Sequence, residues 1–333
     1  MLKDRVMELL EQNRGAFLSG EEIASRLSVS RAAVWKAVGL LKQEGCRIEA
    51  VRNRGYRLDE SNDILSSGSI AGDMKHSLPE IQVFRELAST NAAAKERAAA
   101  GAAEGTLIVA ETQTGGKGRR GRAFYSPGKT GIYFSLILRP RLAAQDAVLI
   151  TAAAAVAVCE TVEALTGKQA GIKWVNDIFV DGKKVCGILS EASFDMESAQ
   201  IEFVVLGIGV NLFRPQDGFP PEIADVAGAL FSKEQAGLRS RMIAGVTDRF
   251  LDYYSRLAAA DFSDEYRRRS VLIGREIVYE RQGICHSARV LDIDDRCRLK
   301  VLTDEGKTEL LVSGEVSVGS GRMIGSENRN GEG

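Results

Sequence analysis

The chain contains few residues from which a metal centre or a nucleophilic triad could be built. Its 333 residues include two histidines, His76 and His286, so histidine-based metal sites and catalytic triads have little support. The five cysteines are an odd number and none forms a Cys-x-x-Cys pair, which argues for reduced thiols and against a structural zinc site. Reduced thiols indicate a cytoplasmic protein.

Uncharged apolar runs long enough to cross a bilayer are also missing. A span needs roughly 18–20 such residues, and the best candidate, residues 147–158, is short and rich in alanine. Residues 1–14 alternate charged and apolar side chains, which is not the pattern of a signal or transit peptide. We therefore expect neither a membrane partner nor a targeting segment.

A strong overall charge is absent too, because 44 lysines and arginines face 45 aspartates and glutamates. With 44% hydrophobic and 27% charged residues, the composition is that of an ordinary globular protein of two or three domains. The net charge of −1 is an average, however. Residues 31–57 carry seven basic and two acidic side chains, an excess of about five positive charges.

The basic segment lies in a pattern that predicts a winged helix-turn-helix. Residues 2–13 have helical apolar spacing, a capping box at 19–22 begins a second helix, and Ser30 can cap a third. Residues 46–51 and 55–58 are predicted to be short strands with a basic tip between them. The alternative is a small helical protein-interaction domain with a solvated basic face.

In a winged helix-turn-helix, the second helix of the motif presents its N-terminal residues to the major groove. Trp35 favours this interpretation, since an exposed tryptophan suits a groove or an interface. We therefore predict operator DNA as a partner. The predicted DNA-binding residues are Ser30, Arg31, Ala32, Trp35, Lys36, Arg52 and Arg54.

Beyond the basic segment, the pattern changes to that of a larger α/β domain. Residues 59–69 are polar and are predicted to be a linker. An Ala-rich helix is predicted to end at Gly101 and an apolar helix to cover residues 146–165, while Asp181-Gly182 predicts a hairpin turn. The predicted strands are residues 81–86, 107–112, 132–138, 171–175, 177–180, 185–192 and 201–212.

Residues 115–122 hold four glycines and four basic residues. Glycines let backbone N–H groups approach a ligand, and the cations neutralise phosphate charge. The segment matches GxGxxG, but it leads into a strand instead of opening a helix, and it lacks the Gly-Lys-Ser/Thr of a Walker loop. Phosphate binding and a flexible basic surface loop are both open interpretations.

Lys173 lies in an apolar segment and needs an anion, because an unpaired buried ammonium group is very costly. Asp177 or Glu191 could supply that anion within the chain, and an anionic substrate is the alternative. Residues 207–211 (Gly-Ile-Gly-Val-Asn) end an apolar strand. The two glycines either allow close packing or leave room for a planar ligand.

The C-terminal part predicts a helix over residues 239–257, then short strands. The strands, at 277–280, 288–292, 299–302 and 309–312, have the spacing of a small SH3-like barrel. The predicted domains are residues 1–60 (winged helix-turn-helix), 61–270 (catalytic), 271–320 (SH3-like) and 321–333 (a disordered tail).

Together these motifs closely resemble the biotin protein ligases, specifically the bifunctional kind that also represses the biotin operon. Two departures are visible: Val175 stands where the family usually has proline, and Lys117 where some members have arginine. The resemblance rests on Ser30-Arg31-Ala32-Ala33, Ser89-Thr90-Asn91, Gln113, residues 116–122, Lys173-Trp174-Val175-Asn176-Asp177, Gly187-Ile188-Leu189 and residues 207–211. It implies an α/β (α+β) fold with a winged helix-turn-helix, a central mixed-sheet, class II synthetase-like ligase domain and a C-terminal SH3-like β-barrel.

The resemblance also implies a two-step reaction that uses ATP, Mg²⁺ and biotin. The biotin carboxylate attacks the α-phosphate of ATP, which gives biotinyl-5′-AMP and pyrophosphate. A lysine amine of a biotin carboxyl carrier protein then displaces AMP. The adenylate is expected to order the basic loop and favour a homodimer that binds the operator.

The family's pattern assigns roles to residues of this sequence, although it assigns no metal ligand. The implied catalytic residues are Lys173, Arg119 and Lys117. The implied biotin-binding residues are Ser89, Thr90, Asn91, Gln113, Lys117, Gly118, Arg119 and Lys173. The implied ATP- or adenylate-binding residues are Arg119, Arg120, Arg122, Asn176 and Asn211.

Two other functions compete with this one. A lipoate-type ligase would share the fold and the adenylate strategy, but such enzymes lack this basic loop and the Lys-Trp-x-Asn-Asp pattern. A non-enzymatic, biotin-sensing regulator is the second alternative, against which the retained Lys173 and the complete loop argue.

Overall fold

The computed structural model describes residues 2–43, 46–59, 63, 65–143, 146–194, 200–281, 284–312, 314 and 316–318. The predicted tail at 321–333 lies outside these residues. Within them, the chain folds into an N-terminal helical head with a two-stranded wing, a central seven-stranded sheet with helices, and a C-terminal five-stranded sheet.

The head has the predicted winged helix-turn-helix architecture. Ser19 caps the second helix by accepting a hydrogen bond from Glu22 N, and Ser30 Oγ accepts one from Ala33 N at the start of the third. The third helix buries Val34, Ala37, Val38 and Leu41, so its apolar face lies in the core of the head. The elements are α1 Leu2–Gln12, α2 Gly20–Leu27, α3 Arg31–Gln43, β1 Ile48–Val51 and β2 Gly55–Leu58, with β1 and β2 antiparallel.

The prediction of a linker over residues 59–69 is wrong at its C-terminal end. Ser66 begins the helix α4, Ser67–Asp73, through a reciprocal capping box with Ser69. The second partner of a capping box is usually Glu or Gln, and serine in this place concealed the signal. Ile70 of α4 is buried, and the helix packs between α1 of the head and a helix of the central domain.

The central sheet is mixed, as expected, because β3 and β4 are parallel and the other neighbours are antiparallel. Its strand order is β3-β4-β5-β9-β8-β7-β6. Asp181 and Gly182 both have positive φ and form the predicted turn between β7 and β8. The strands are β3 Ile81–Leu87, β4 Leu107–Gln113, β5 Gly131–Leu138, β6 Gly171–Lys173, β7 Asp177–Val180, β8 Lys183–Phe194 and β9 Ile201–Asn211; the helices are α5 Thr90–Ala99, α6 Val148–Thr166, α7 Pro221–Ala224, α8 Leu238–Tyr254 and α9 Ser263–Arg268.

The helix α6 is longer than the apolar run of residues 147–158, which the sequence predicted to be too short to cross a bilayer. By length and composition its 19 residues could cross a bilayer, with a mean hydropathy of 1.9. However, 72% of that stretch is buried inside the protein, where it packs against α8, α9 and β8. Its apolar surface therefore belongs to the core of the central domain.

The C-terminal sheet is antiparallel with the strand order β13-β12-β11-β10-β14. Trp174 Nε1, directly after β6, donates to the carbonyl oxygen of Cys297 at 2.9 Å, which ties this sheet to the central domain. The four predicted strands are present, and a fifth closes the sheet beside the first. The strands are β10 Glu276–Arg281, β11 Ile284–Ile293, β12 Leu299–Thr303, β13 Thr308–Leu311 and β14 Val316–Val318.

Candidate active site

A cleft of about 370 Å³ lies over the glycine-bearing ends of the central strands. It is lined from β4, the basic loop, β6, β8 and β9, and Val316 of the C-terminal sheet also reaches it. The structure brings every predicted ligand-binding residue to this one cleft. These residues are Ser89, Thr90, Asn91, Gln113, Lys117, Gly118, Arg119, Arg120, Arg122, Lys173, Asn176 and Asn211.

One wall of the cleft is polar and already hydrogen-bonded. Gln113 Oε1 accepts from Thr90 N at 2.8 Å, and Gln113 Nε2 donates to Ser126 Oγ at 3.0 Å. Ser89 is the N-cap of α5 and its side chain accepts from Ala92 N. The amide of Gln113 thus has a fixed direction before any ligand binds.

Asn91 belongs to the same wall, and protein atoms satisfy its amide. Its Nδ2 donates to Glu191 Oε2 at 2.7 Å and to the carbonyl oxygen of Leu189 at 3.2 Å. Its Oδ1 accepts from Ser135 Oγ at 2.7 Å. Asn91 therefore builds the wall of the cleft through contacts with protein atoms.

The carboxyl of Glu191 is ionised despite its partial burial. Burial alone raises the pKa of Glu191, but the hydrogen bonds from Lys95 and Asn91 outweigh it, and the charges of Lys95 and Lys117 add to them. The net result is a pKa below the ordinary value of a glutamate. The negatively charged carboxylate of Glu191 therefore holds the Asn91 end of the polar wall.

Lys173 lines the cleft and is half-buried, and neither of the predicted carboxylate partners is paired with it. Asp177 instead pairs with Lys184 at 2.6 Å, and Glu191 pairs with Lys95. Both predicted internal partners are therefore engaged elsewhere, and an anionic ligand for Lys173 stays a prediction.

The basic loop folds back on itself at the mouth of the cleft. Gly118 N donates to the carbonyl oxygen of Arg122 at 2.7 Å, and Arg120 lies in the left-handed region with φ of 55°. A Cβ on Gly116 would lie 2.6 Å from the carbonyl oxygen of Phe124, so glycine is required there. Arg119 Nη1 donates to Asn176 Oδ1 at 3.3 Å, which ties the loop to the segment between β6 and β7.

The two glycines of the 207–211 segment serve close packing. A Cβ on Gly207 would lie 1.9 Å from Asn91 Oδ1, and one on Gly209 would lie 2.5 Å from the ring of Phe124. Since both glycines also line the cleft, the packing that they permit shapes the ligand cavity. The contacts account for close packing, and the explanation that the glycines leave room for a planar ligand stays a prediction.

Family models match three parts of the chain. Residues 83–211 match the biotin/lipoate A/B protein ligase family, residues 3–57 an HTH domain, and residues 272–319 the biotin protein ligase C-terminal domain. The bifunctional ligase/repressor BirA of Bacillus subtilis (strain 168) is 34% identical over 325 residues, which cover 96% of this chain and 99% of that protein. The chain belongs to the biotin protein ligase family.

Further comparisons agree with this assignment. The bifunctional ligase/repressor BirA of Bacillus spizizenii is 38% identical over 259 residues, covering 76% of this chain and 79% of that protein. Among solved structures, the biotin protein ligase from Aquifex aeolicus in complex with biotin and ATP is similar, with a TM-score of 0.58 and 25% identity. That match covers 72% of this chain and 98% of the Aquifex chain.

The head of this family member presents the predicted DNA-binding residues on its surface. Trp35 is 71% exposed, and Ser30, Arg31, Ala32, Lys36, Arg52 and Arg54 are exposed as well. In the wing, the guanidinium groups of Arg54 and Arg57 lie 4.2 and 4.7 Å from the ring centroid of Phe17. This ring restrains Arg54 by cation–π contacts, and sequence reasoning missed it.

Sequence reasoning also missed three residues behind the cleft of this ligase. Ser135, Glu191 as a wall residue, and Lys95 come from β5, β8 and α5, and their partnership depends on the tertiary fold. For Ser135 a signal existed, because it is a hydroxyl in a strand whose eight residues are all buried, and a buried hydroxyl requires a partner.

Proposed function

We propose that this chain activates biotin with ATP to form biotinyl-5′-AMP and transfers the biotinyl group to a lysine of a biotin carboxyl carrier protein. The observation that carries the proposal is the convergence of a polar wall and a set of loop cations on one cleft. Membership in the biotin protein ligase family supports it, and the relatives named above do not favour a lipoate-type ligase.

The polar wall suits the ureido ring of biotin. Ser89, Thr90 and Gln113 offer hydroxyl and amide groups whose directions are set by hydrogen bonds, and a ring with N–H donors and a carbonyl acceptor needs such partners. Preorganised polar groups bind without a large ordering cost. Asn91 lines the same wall, and its amide is held by Glu191, Leu189 and Ser135.

The cations suit the chemistry of the first step. The biotin carboxylate and the ATP triphosphate repel each other, and they must approach to about 3–3.5 Å for attack. Lys117, Arg119 and Lys173 line the cleft and can neutralise both anions while oxygen charge develops at the α-phosphate. No step requires a protein nucleophile, since the substrate carboxylate itself attacks.

For the nucleotide, we assign Arg120, Arg122, Asn176 and Asn211 to the adenylate side of the cleft. Mg²⁺ is bound in such sites by phosphate oxygens, water and one or two carboxylates. Among the described residues no group of three or more His, Cys, Asp or Glu side chains could hold a metal ion. Asp177 and Glu222 line the cleft and could supply the one or two carboxylates. Because most of its other ligands are phosphate oxygens and water, Mg²⁺ would arrive with ATP.

The second role that we propose is biotin-responsive repression of transcription in the cytoplasm. An exposed basic helix and wing support operator binding, and biotinyl-AMP would act as the corepressor by favouring a homodimer. We retain the division at residues 60, 270 and 320 as a proposal for the domain limits.

Incubation of the protein with Mg-ATP and either biotin or lipoate tests the enzymatic proposal. We expect pyrophosphate release and a mass corresponding to biotinyl-AMP with biotin, and neither with lipoate. A lipoyl adenylate would indicate the lipoate-type alternative, and binding of biotin without pyrophosphate release would indicate a regulator without ligase activity.

A further inference from the structure

Trp35, on the second helix of the helix-turn-helix, is a large apolar side chain that faces solvent. It is 71% exposed, more than any other large hydrophobic side chain that the structure describes. The helix α3 packs into the head through Val34, Val38 and Leu41, and Trp35 takes no part in that core. A lone exposed apolar residue is common on protein surfaces, so the surroundings of this ring decide what it can bind.

The neighbours of Trp35 on the helix surface are small. Residues three and four positions apart are neighbours on a helix, which places Ala32 one turn before Trp35 and Gly39 one turn after it. Both are exposed, and a Cβ on Gly39 would meet open space. The indole ring therefore stands out from this face of α3 and is accessible to a ligand that lies along the helix.

The charge beside Trp35 is positive, which fits a polyanion. Arg31 and Lys36 are exposed on the same helix, and the 13 residues of α3 include three basic side chains and no acidic one. The wing adds Arg52 and Arg54, which are exposed as well. Phosphate groups of DNA neutralise such a set of cations. Charge complementarity thus makes a DNA duplex the occupant of this face.

The chemistry of the major groove narrows the contact of the ring to one group. Base-pair edges there carry hydrogen-bond donors and acceptors and a single apolar group, the 5-methyl group of thymine. An indole has one N–H donor and is otherwise apolar. Trp35 is the fifth residue of α3, in the N-terminal half that this motif presents to the groove. The thymine methyl group is therefore the partner that matches the face of the ring.

We propose that Trp35 is a specificity-determining residue of the head, and that it reads thymine through the 5-methyl group. This inference rests on the proposed operator binding, and it names a base that the operator contains opposite α3. Uracil lacks only this methyl group and pairs with adenine in the same way. The contact can therefore be tested without changing the order of the bases.

The experiment uses the full-length protein with biotin and Mg-ATP present. Selection from a pool of random-sequence duplexes first supplies the most strongly bound duplex, and a second version of that duplex is made with uracil in place of thymine. Fluorescence anisotropy at one fixed salt concentration then measures both affinities. The proteins compared are the wild type, Trp35→Ala, Trp35→Phe and Arg52→Gln.

The wild type should bind the uracil duplex about fourfold more weakly for each methyl group that Trp35 contacts, as the burial of one such group implies. Trp35→Ala should lose most of this preference, and Trp35→Phe should keep part of it because its ring is also apolar. Arg52→Gln is the matched control. It should weaken both duplexes equally and keep the preference, since a phosphate contact carries no information about the base.

The outcomes separate this inference from the proposed function. Equal binding of the two duplexes by the wild type overturns the role of Trp35. A full preference for thymine in Trp35→Ala also overturns it, because another residue would then read the methyl group. A lower melting temperature of Trp35→Ala with the thymine preference intact does the same, since the ring would then act in the fold. A wild type that enriches no duplex from the pool refutes the proposed operator binding itself.

Discussion

Arg239 of α8 donates from Nε to the Asp63 carboxylate at 2.7 Å, and its Nη2 lies 3.5 Å from Glu111 of β4. The Arg239 side chain is 2% exposed. A single buried cation therefore joins the segment after the head to the strand that leads into the cleft.

Replacing Arg239 with methionine should strongly destabilise the protein. The change leaves Asp63 and Glu111 close together without their cation, and breaking a buried pair in this way costs about 3–5 kcal/mol. Urea denaturation at neutral pH measures the change in the free energy of unfolding. Arg241→Met, at an exposed position of the same helix, is the matched control, and an equal loss in both variants would contradict the role of the buried pair.

The contact between the head and α4 should weaken as the pH rises. Burial raises the pKa of Glu11 above its ordinary value of 4.5, although a hydrogen bond from Ser66 and the charge of Arg14 oppose it. The pKa of Glu11 is thus higher in the folded than in the unfolded protein. The contribution of the protonated Glu11 carboxyl to folding is complete below the unfolded-state pKa, and it is lost as the pH rises through the folded-state pKa.

A Glu11→Gln variant should therefore lose less stability than the wild type between acidic and neutral pH. Melting temperatures of both proteins over that range, with Glu21→Gln as an exposed control, supply the comparison. Parallel curves for the wild type and Glu11→Gln would show that burial of this carboxyl has no energetic effect.

Replacing Arg119 with alanine should loosen the hold of the cleft on the adenylate. Arg119 lines the cleft and donates to Asn176, and its charge would be lost from the acyl phosphate. We expect biotinyl-AMP to escape and react with amines of a bystander protein such as albumin, which mass spectrometry detects. Arg85→Ala, on an exposed part of β3, should not label albumin. Wild-type retention of the adenylate by Arg119→Ala would count against the assigned role.

DNA binding should depend on the wing through phosphate charge. Replacing Arg52 with glutamine should weaken binding to any duplex and reduce the slope of log affinity against log salt concentration by about one. Fluorescence anisotropy on a random-sequence duplex, at several salt concentrations and with biotin and ATP present, provides both quantities. Lys75→Gln, on the exposed surface of the central domain, serves as the control, and an unchanged slope for Arg52→Gln would remove the wing from the interface.

Oligomerisation should respond to the adenylate. Sedimentation of the protein with biotin plus Mg-ATP should show more dimer than sedimentation with either ligand alone, because only the adenylate is expected to order the basic loop. An unchanged monomer–dimer equilibrium would reject the proposed coupling.

The sequence predicted the parts of the molecule whose signals are local. Capping at Ser19 and Ser30 and the turn at Asp181-Gly182 depend on neighbouring residues, and the structure has them in place. The convergence of Gln113 and Lys173 on one cleft followed from the family resemblance, since the two residues lie on different strands.

Other features could not be predicted because they depend on partners that are distant in the chain. The anion beside Asn91 is Glu191, and only the packing of α5 against the sheet brings them together. The helix α4 was missed because its cap is an uncommon serine pair. Asp177 and Glu191 were the predicted internal partners of Lys173, and this prediction is wrong because they pair with Lys184 and Lys95 instead.

The buried helix α6 has a consequence for the way the protein is made. The surfaces that cover it, β8, α8 and α9, all follow it in the chain. During synthesis, a 19-residue apolar segment emerges from the ribosome before any of these covers exists. We expect the growing chain to depend on a chaperone at that stage, and the central domain to become protease-resistant only after α9 has left the ribosome.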